Sequence, residues 1–134
     1  MKALFIGGTG TISSAISALC VRRRWDLTLL NRGNADTRVP QGAQVIHADI
    51  HDEASAQAAL KGQTFDVVAD FIAYTPDDVA RDIRLFSGRT AQYFFISSAS
   101  AYQKPLSSPW ITEGTPLCNP YWEYSRQKAA CEDV

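Results

Sequence analysis

An apolar run that breaks into glycines and then resumes with helical spacing constrains this chain more than any other stretch: Lys2-Ala3-Leu4-Phe5-Ile6-Gly7-Gly8-Thr9-Gly10-Thr11-Ile12-Ser13. Leu4, Phe5 and Ile6 are continuous, as in a parallel strand covered on both faces. Beyond the glycines, Ile12, Ala15, Ile16, Leu19 and Cys20 recur at three- and four-residue steps, which predicts one apolar helix stripe. At the join the backbone must turn tightly and admit a diphosphate to the amides of a helix N-terminus, where dipole and unpaired N–H groups favour an anion. Gly7, Gly10 and Ser13 fit Gly-x-x-Gly-x-x-Gly with a final serine, and Gly8, Gly10 and Ser13 fit Gly-x-Gly-x-x-Gly equally well. Neither register has its third glycine, the position that packs helix against strand. A glycine turn placed after an apolar strand and before an amphipathic helix predicts dinucleotide binding rather than a simple connection.

Strand-like and helix-like segments alternate along the rest of the chain, with no repeat, low-complexity tract or linker, which is the pattern of a doubly wound α/β sheet. The 134 residues amount to one domain, long enough for a real core. The second strand is read at Asp26 to Leu30 and the third at Ala43 to His47, after a polar loop with Gly33, Pro40 and Gly42. Asp52 to Lys61 reads as a short alanine-rich helix ended by Gly62, and Phe65 to Ile72 as the fourth strand. Thr75-Pro76-Asp77-Asp78 is a helix start, with Thr as N-cap, Pro at the first helical position and an acid three residues after the cap. Val79, Ile83 and Phe86 are that helix's expected inner stripe, and Ala91 to Ser98 is a fifth, very apolar strand. Ala99 to Asn119 lacks periodicity, and so long a loop in a compact domain is functional or disordered. Pro120 to Val134 resumes as a helix. The expected fold is a Rossmann-like doubly wound parallel sheet of order 3-2-1-4-5, whose aromatic fifth strand lies at an edge that folded proteins avoid or cover. A fragment, or a chain completed by a partner, is expected on that ground.

A net charge of -1 gives no basic footprint, so nucleic acid is not an expected partner. Arg22, Arg23 and Arg24 end the first helix, where they complement its dipole. Cys20, Cys118 and Cys131 have no metal spacing and cannot all pair, so reduced cytoplasmic thiols are the default. The opening apolar run is far too short for a signal peptide or membrane span, and a soluble cytoplasmic chain is expected. His47 and His51 flank Asp49, but two histidines and one carboxylate at a strand end are no established metal geometry, and no metal is expected. Trp25, Trp110 and Trp122 read as packing residues.

Tyr124-Ser125-Arg126-Gln127-Lys128 places a phenol and an ammonium four residues apart on one helix face. A neighbouring ammonium can lower a phenol's pKa and make it a usable acid or base near neutral pH. With these residues in view, the whole chain resembles the extended short-chain dehydrogenase/reductase superfamily, in its NAD-dependent epimerase/dehydratase group. The family's Gly-Gly-Thr-Gly-x-x-Gly is similar to Gly7 to Ser13, and its acid after strand three to Asp49, followed by Ile50. Its Ser-Ser-x-x-x-Tyr resembles Ser97 to Tyr102, which makes Ser98 the catalytic hydroxyl. Its Glu, Pro and Pro-x-x-x-Tyr-x-x-x-Lys resemble Glu113, Pro116, Pro120, Tyr124 and Lys128.

The resemblance implies roles. Tyr124 would exchange a proton with a substrate hydroxyl or carbonyl as hydride passes to or from a nicotinamide, Lys128 would hold the ribose hydroxyls, and Ser98 would hydrogen-bond the substrate oxygen. Cofactor contacts would come from Gly7, Thr9, Gly10, Thr11, Ile12, Asn31, Arg32, Asp49, Ile50, Phe71, Ala73 and Lys128. Tyr102 and Tyr121 are poorer candidates for the catalytic acid, having no Lys four residues later. Two departures matter. The NAD-specific pattern wants an acid about twenty residues beyond the glycines, and this chain has Asn31-Arg32 there, so NADP(H) is expected over NAD(H), with Arg32 and Arg38 as partners of a 2′-phosphate. Where the family has His-Leu-Ala-Ala after strand four, this chain has Asp70-Phe71-Ile72-Ala73, and Ile72 and Tyr74 reshape the pocket.

The first functional expectation is therefore an NAD(P)-dependent oxidoreductase, epimerase or dehydratase acting on a hydroxyl or carbonyl of a nucleotide sugar. A non-catalytic NAD(P)-binding regulatory module is the alternative, and loss of the Tyr–Lys pair would have favoured it. A likeness of Leu30-Asn31-Arg32-Gly33 and Phe65-Asp66-Val67-Val68 to chloroplast RNA-binding relatives raises nucleic-acid binding, against which the near-neutral charge argues. Substrate recognition in the family comes largely from a C-terminal part. Residues 1–134 are thus expected to be an incomplete dinucleotide-binding domain, inactive or nearly so alone. The family further implies a homodimer through the helices at 75–87 and 120–134.

Overall fold

In the computed structural model, which describes residues 1–34 and 36–134, five strands form one wholly parallel sheet of order β3-β2-β1-β4-β5. They are β1 (Lys2–Ile6), β2 (Asp26–Asn31), β3 (Gln44–His47), β4 (Phe65–Asp70) and β5 (Thr90–Phe95). Four helices connect or follow them: α1 (Thr11–Arg22), α2 (Glu53–Ala59), α3 (Pro76–Phe86) and α4 (Glu123–Cys131). The chain divides into two compact units, one of Met1–Ile72 with Arg81–Ile96 and the other of Ala73–Ala80 with Ser97–Val134. Among the described residues no helix is long and apolar enough to cross a membrane.

In the first unit, alternation along each strand divides the core between two sheet faces. Leu4, Ile6, Leu30 and Val68 join Ile50, Leu60, Leu85 and Phe86 on one side. Ala3, Phe5, Leu27, Leu29 and Ala69 join Cys20 of α1 on the other. Leu4, Ile6, Leu27 and Leu29 are all 0 % exposed, each burial stabilising the fold by about 1.5–3 kcal/mol. This double coverage makes β1 the central strand, and the glycine turn follows it directly.

The buried face of α1 differs from the apolar stripe that spacing predicts. Ser13, Ser17 and Cys20 are its buried residues, while Ile12 is 67 % exposed and Ala15, Ile16 and Leu19 are also exposed. The reason is the closeness of helix to loop: Ser13 Oγ donates to the Gly7 carbonyl at 2.7 Å and Ser17 Oγ to the Gly8 carbonyl at 2.9 Å. Ile16 and Leu19 instead line an apolar recess of about 410 Å³ with Phe5, Trp25, Phe71 and Phe94. On α3, Val79 and Phe86 are buried as expected, but Ile83 is exposed and Arg81 and Asp82 are buried beside it. Strand β4 ends at Asp70, two residues before the expected Ile72, because the Asp70 carboxyl accepts the Ile72 N–H at 2.6 Å and turns the chain.

The second unit begins with the expected helix start. Asp78 Oδ2 accepts from the amides of Tyr74 and Thr75, both at 3.0 Å, while Thr75 Oγ1 accepts the Asp78 N–H at 3.3 Å. The aperiodic stretch after β5 is ordered by a 3-10 turn at Ala99–Ala101 and closed by two backbone bonds, Gln103 N–H to Pro116 at 2.8 Å and Lys104 N–H to Cys118 at 3.0 Å. Helix α4 starts three residues later than the expected Pro120, since Trp122 at the N-cap is extended (φ -137, ψ 123).

Candidate functional site

The glycine turn opens onto a pocket of about 270 Å³ in the first unit, lined by Gly7, Thr9, Gly10, Asn31, Arg32, Asp49 and Ile50, together with Asn34, His51 and Ile72. Gly7 has φ +77, and a Cβ on it would stand 2.5 Å from Ile72 Cγ2; a Cβ on Gly8 would stand 2.5 Å from Leu29 Cδ2. These two positions require glycine for backbone conformation and for close approach. At the third position of the pattern Ser13, 2 % exposed, is built into the loop: besides donating to Gly7, its hydroxyl accepts the Gly10 N–H at 2.8 Å.

Asn31, at the end of β2, is 9 % exposed, and its Nδ2 is the one buried side-chain polar atom without a hydrogen-bond partner among the described residues. A buried donor left unsatisfied costs about 1–3 kcal/mol, so this atom is a ready partner for an acceptor entering the pocket. Arg32 NH1 lies 3.8 Å from Asp49 Oδ2, with side chains 63 % and 40 % exposed, a long, solvated pair of little strength. Asp49 also accepts the His51 N–H at 3.0 Å, which fixes the turn into the buried Ile50. A narrow glycine turn at a helix start, an unsatisfied amide donor and an exposed guanidinium fit a dinucleotide. Thr11 and Ile12 are exposed in the first turn of α1 and do not line this pocket. Phe71 lines the apolar recess instead, packed edge-on against Phe5 with ring centroids 5.3 Å apart.

Behind the pocket lies a buried ionic group that spacing did not reveal. Arg81 donates to Asp82 Oδ1 through Nε at 3.0 Å and NH2 at 2.8 Å, and NH2 lies 3.5 Å from Asp70 Oδ2. Tyr93 OH donates to Asp82 Oδ2 at 2.7 Å, and Arg81 NH1 meets His51 Nδ1 at 3.2 Å. Asp70 and Asp82 are both 0 % exposed. Burial, then the hydrogen bond and charge of Asp82, push the Asp70 carboxyl up to about 8. Burial and the same carboxylate push the Tyr93 phenol up.

In the second unit α4 carries Tyr124 and Lys128 one turn apart. Lys128 is 2 % exposed; its Nζ donates to the Ala73 carbonyl at 2.7 Å and lies 5.8 Å from the centre of the Tyr124 ring and 5.0 Å from that of Tyr74. Ala73, itself 0 % exposed, thus meets Lys128 through its backbone. Ser98 caps the 3-10 turn, its Oγ accepting the Ser100 N–H at 3.2 Å and pairing with Ser100 Oγ at 2.8 Å. Asn119 ties this turn to α4: its Nδ2 donates to the Ser100 carbonyl at 2.8 Å and to Ser125 Oγ at 3.3 Å. The first unit thus holds a glycine turn at a helix start, and the second a helix that carries a phenol one turn from a buried ammonium. The model of the NAD dependent epimerase/dehydratase family matches residues 3–134.

The chain belongs to this family. Solved structures agree on the fold. The UDP-Glc/GlcNAc 4-epimerase of Campylobacter jejuni superposes with a TM-score of 0.86 at 20% identity, over 98% of this chain and 47% of that one. The UDP-glucose 4-epimerase of Bifidobacterium longum, in complex with NAD+ and UDP, gives 0.78 at 18% identity, over 99% and 47%. The dTDP-glucose 4,6-dehydratase of Bacillus anthracis, in complex with NAD, gives 0.81 at 18% identity, over 99% and 48%. The chain therefore spans about half the length of the structures it matches. No curated protein sequence matches it.

Spacing pointed to the glycine turn and to the Tyr124–Lys128 pair but not to the residues that brace their surroundings. Ser17, Arg81, Asp82, Tyr93 and Asn119 all hold site elements through long-range hydrogen bonds. Of these only Asp82, three residues after Val79 and four before Phe86, is signalled beforehand, as a polar residue in an apolar stripe.

Proposed function

We propose that this chain is the dinucleotide-binding and acid–base part of an NAD(P)-dependent oxidoreductase, epimerase or dehydratase that acts on a hydroxyl or carbonyl of a nucleotide sugar. The observation that carries the reading is Lys128: an ammonium 2 % exposed, one helical turn from Tyr124. Burying a charge is costly, and here the Ala73 carbonyl holds the ammonium beside the phenol. When bound, a nicotinamide dinucleotide supplies a carbon that accepts or returns hydride. The chain's own residues do the rest. Tyr124 passes a proton to or from the substrate oxygen, Lys128 holds ribose hydroxyls, and Ser98 donates a hydrogen bond to the same substrate oxygen. Gly7, Thr9, Gly10, Asn31, Arg32, Asp49 and Ile50 hold the dinucleotide, with NADP(H) favoured over NAD(H) because Arg32 can pair with a 2′-phosphate.

The nucleotide-sugar substrate rests on the activities named for the solved structures above. Because the chain spans about half of them, we also propose that these residues by themselves turn over little nucleotide sugar. The test of the reading is calorimetric titration of the folded chain with NADP(H) and NAD(H). Binding of either supports the cofactor assignment; a folded chain that binds neither overturns it. With a cofactor bound, a role as a non-catalytic module is separated by replacing Tyr124 with Phe in the longest chain that turns over substrate: unchanged turnover removes Tyr124 from the chemistry.

A further inference from the structure

Two residues around Tyr124 break local rules. Helix N-caps favour Ser, Thr, Asp or Asn, whose side chains accept a backbone N–H. Trp122 holds that position in α4 and makes no side-chain cap. Its ring, 56 % exposed, lies 4.7 Å from the Tyr124 ring at an interplanar angle of 40°. Tyr74 stands just after Ala73, 48 % exposed, with its ring 6.1 Å from that of Tyr124. The Lys128 ammonium is nearer to the Tyr74 ring than to the Tyr124 ring, at 5.0 Å against 5.8 Å. Both distances are within cation–π range, and the attraction grows where the ammonium is desolvated, as it is here. The helix forgoes its cap, and the chain exposes half a tyrosine. What both rings share is contact with the acid–base pair.

We propose that Tyr74 and Trp122 are positioning residues for Tyr124 and Lys128: Tyr74 holds the ammonium against the phenol ring, and Trp122 fixes the plane of that ring. The catalytic consequence rests on the reading of Tyr124 and Lys128 given above, but the positioning itself is independent of any bound cofactor. Neither residue transfers a proton. The aromatic face, not the Tyr74 hydroxyl, is the part that acts on Lys128, so phenylalanine serves there and an aliphatic residue does not.

The test is amine acylation of the folded chain followed by peptide mass spectrometry, with the exposed Lys61 as internal reference. Lys128 is expected to react about tenfold faster in Tyr74→Leu than in the wild type, and at the wild-type rate in Tyr74→Phe. Trp122→Ser supplies a hydroxyl cap and so keeps the helix. In that variant the Tyr124 ring resonances, read by NMR with ring-labelled tyrosine, are expected to lose the shift imposed by the indole, with Lys128 acylation unchanged. Circular dichroism establishes that each variant is folded. Should Tyr74→Leu fail to fold, Tyr74→Phe and Trp122→Ser decide: slow acylation in both with a moved Tyr124 signal supports the proposal. Unchanged Lys128 reactivity in a folded Tyr74→Leu, loss of protection in Tyr74→Phe, or an unmoved Tyr124 signal in Trp122→Ser overturns it. Dinucleotide titration of the same proteins reports separately on the functional reading.

Discussion

The buried Ser17 hydroxyl donates to the carbonyl of Gly8 at 2.9 Å, nine residues back along the chain. With Ser13 bonding Gly7 one turn earlier, α1 braces the glycine turn at two successive carbonyls. Ser17→Ala leaves the Gly8 oxygen without this donor and is expected to lower stability by about 1–3 kcal/mol. Urea unfolding measures this directly. A loss below about 0.3 kcal/mol would show that the carbonyl finds another partner and that the brace is unimportant.

Gly7→Ala attacks the same turn from inside. The left-handed backbone at φ +77 resists any side chain, and the new Cβ would stand 2.5 Å from Ile72 Cγ2. Strain of this kind costs about 1–3 kcal/mol. Because Gly7 also lines the pocket, dinucleotide affinity should fall together with the melting temperature. A variant that melts normally and titrates like wild type would dissociate Gly7 from both roles.

The sheet and the glycine turn were legible because they depend on local rules: apolar runs at β1 and β4, a capping box at Thr75, and glycine where only glycine fits. Family motifs extended that reading to Tyr124 and Lys128. The buried face of α1 and the place of Ile83 on α3 depart from the apolar stripes for one physical cause. An amphipathic stripe assumes that apolar side chains are what a helix buries, but α1 must come close enough to hydrogen-bond a loop, and α3 must bury Arg81 and Asp82 against Asp70 and Tyr93. Such polar burial depends on partners outside the helix, six to eleven residues away, which periodicity does not encode. The same holds for the unsatisfied Asn31 Nδ2: its residue type was noted, its burial was not.

The proposed preference for NADP(H) turns on Arg32. Its pairing with Asp49 at 3.8 Å is weak, so little is lost when the guanidinium turns to a phosphate. Arg32→Ala is expected to weaken NADP(H) binding about tenfold, the scale of one charge-assisted contact, and to change NAD(H) binding less than about twofold. Calorimetry on both proteins reads this. Tighter binding of NAD(H) than NADP(H) by the wild type would refute the preference, and equal losses for both cofactors would place Arg32 elsewhere than at the 2′-phosphate.

The buried carboxyl pair predicts a pH dependence whose sign runs opposite to that of an ordinary salt-bridged aspartate. Asp70 titrates near 3.8 when unfolded and is pushed up to about 8 in the fold, where Arg81 and Tyr93 bond Asp82 and His51 meets the far side of Arg81. Between those two values the folded chain holds a proton that the unfolded chain has released. Unfolding therefore releases a proton, and rising pH favours it. The stabilisation is complete below the unfolded value, declines across the interval and is gone above the folded value. Asp70→Asn cannot ionise, yet its carboxamide still offers an oxygen to the Ile72 N–H and a donor to Asp82. Its stability relative to wild type should rise with pH by up to about 1.4 kcal/mol per unit between about pH 5 and pH 8, then level off. Urea unfolding of both proteins across that range separates this group from all others, because their contributions cancel in the difference. A flat difference would mean that Asp70 is ionised in the folded chain throughout this range, its pKa held down by Arg81 against the burial that surrounds it.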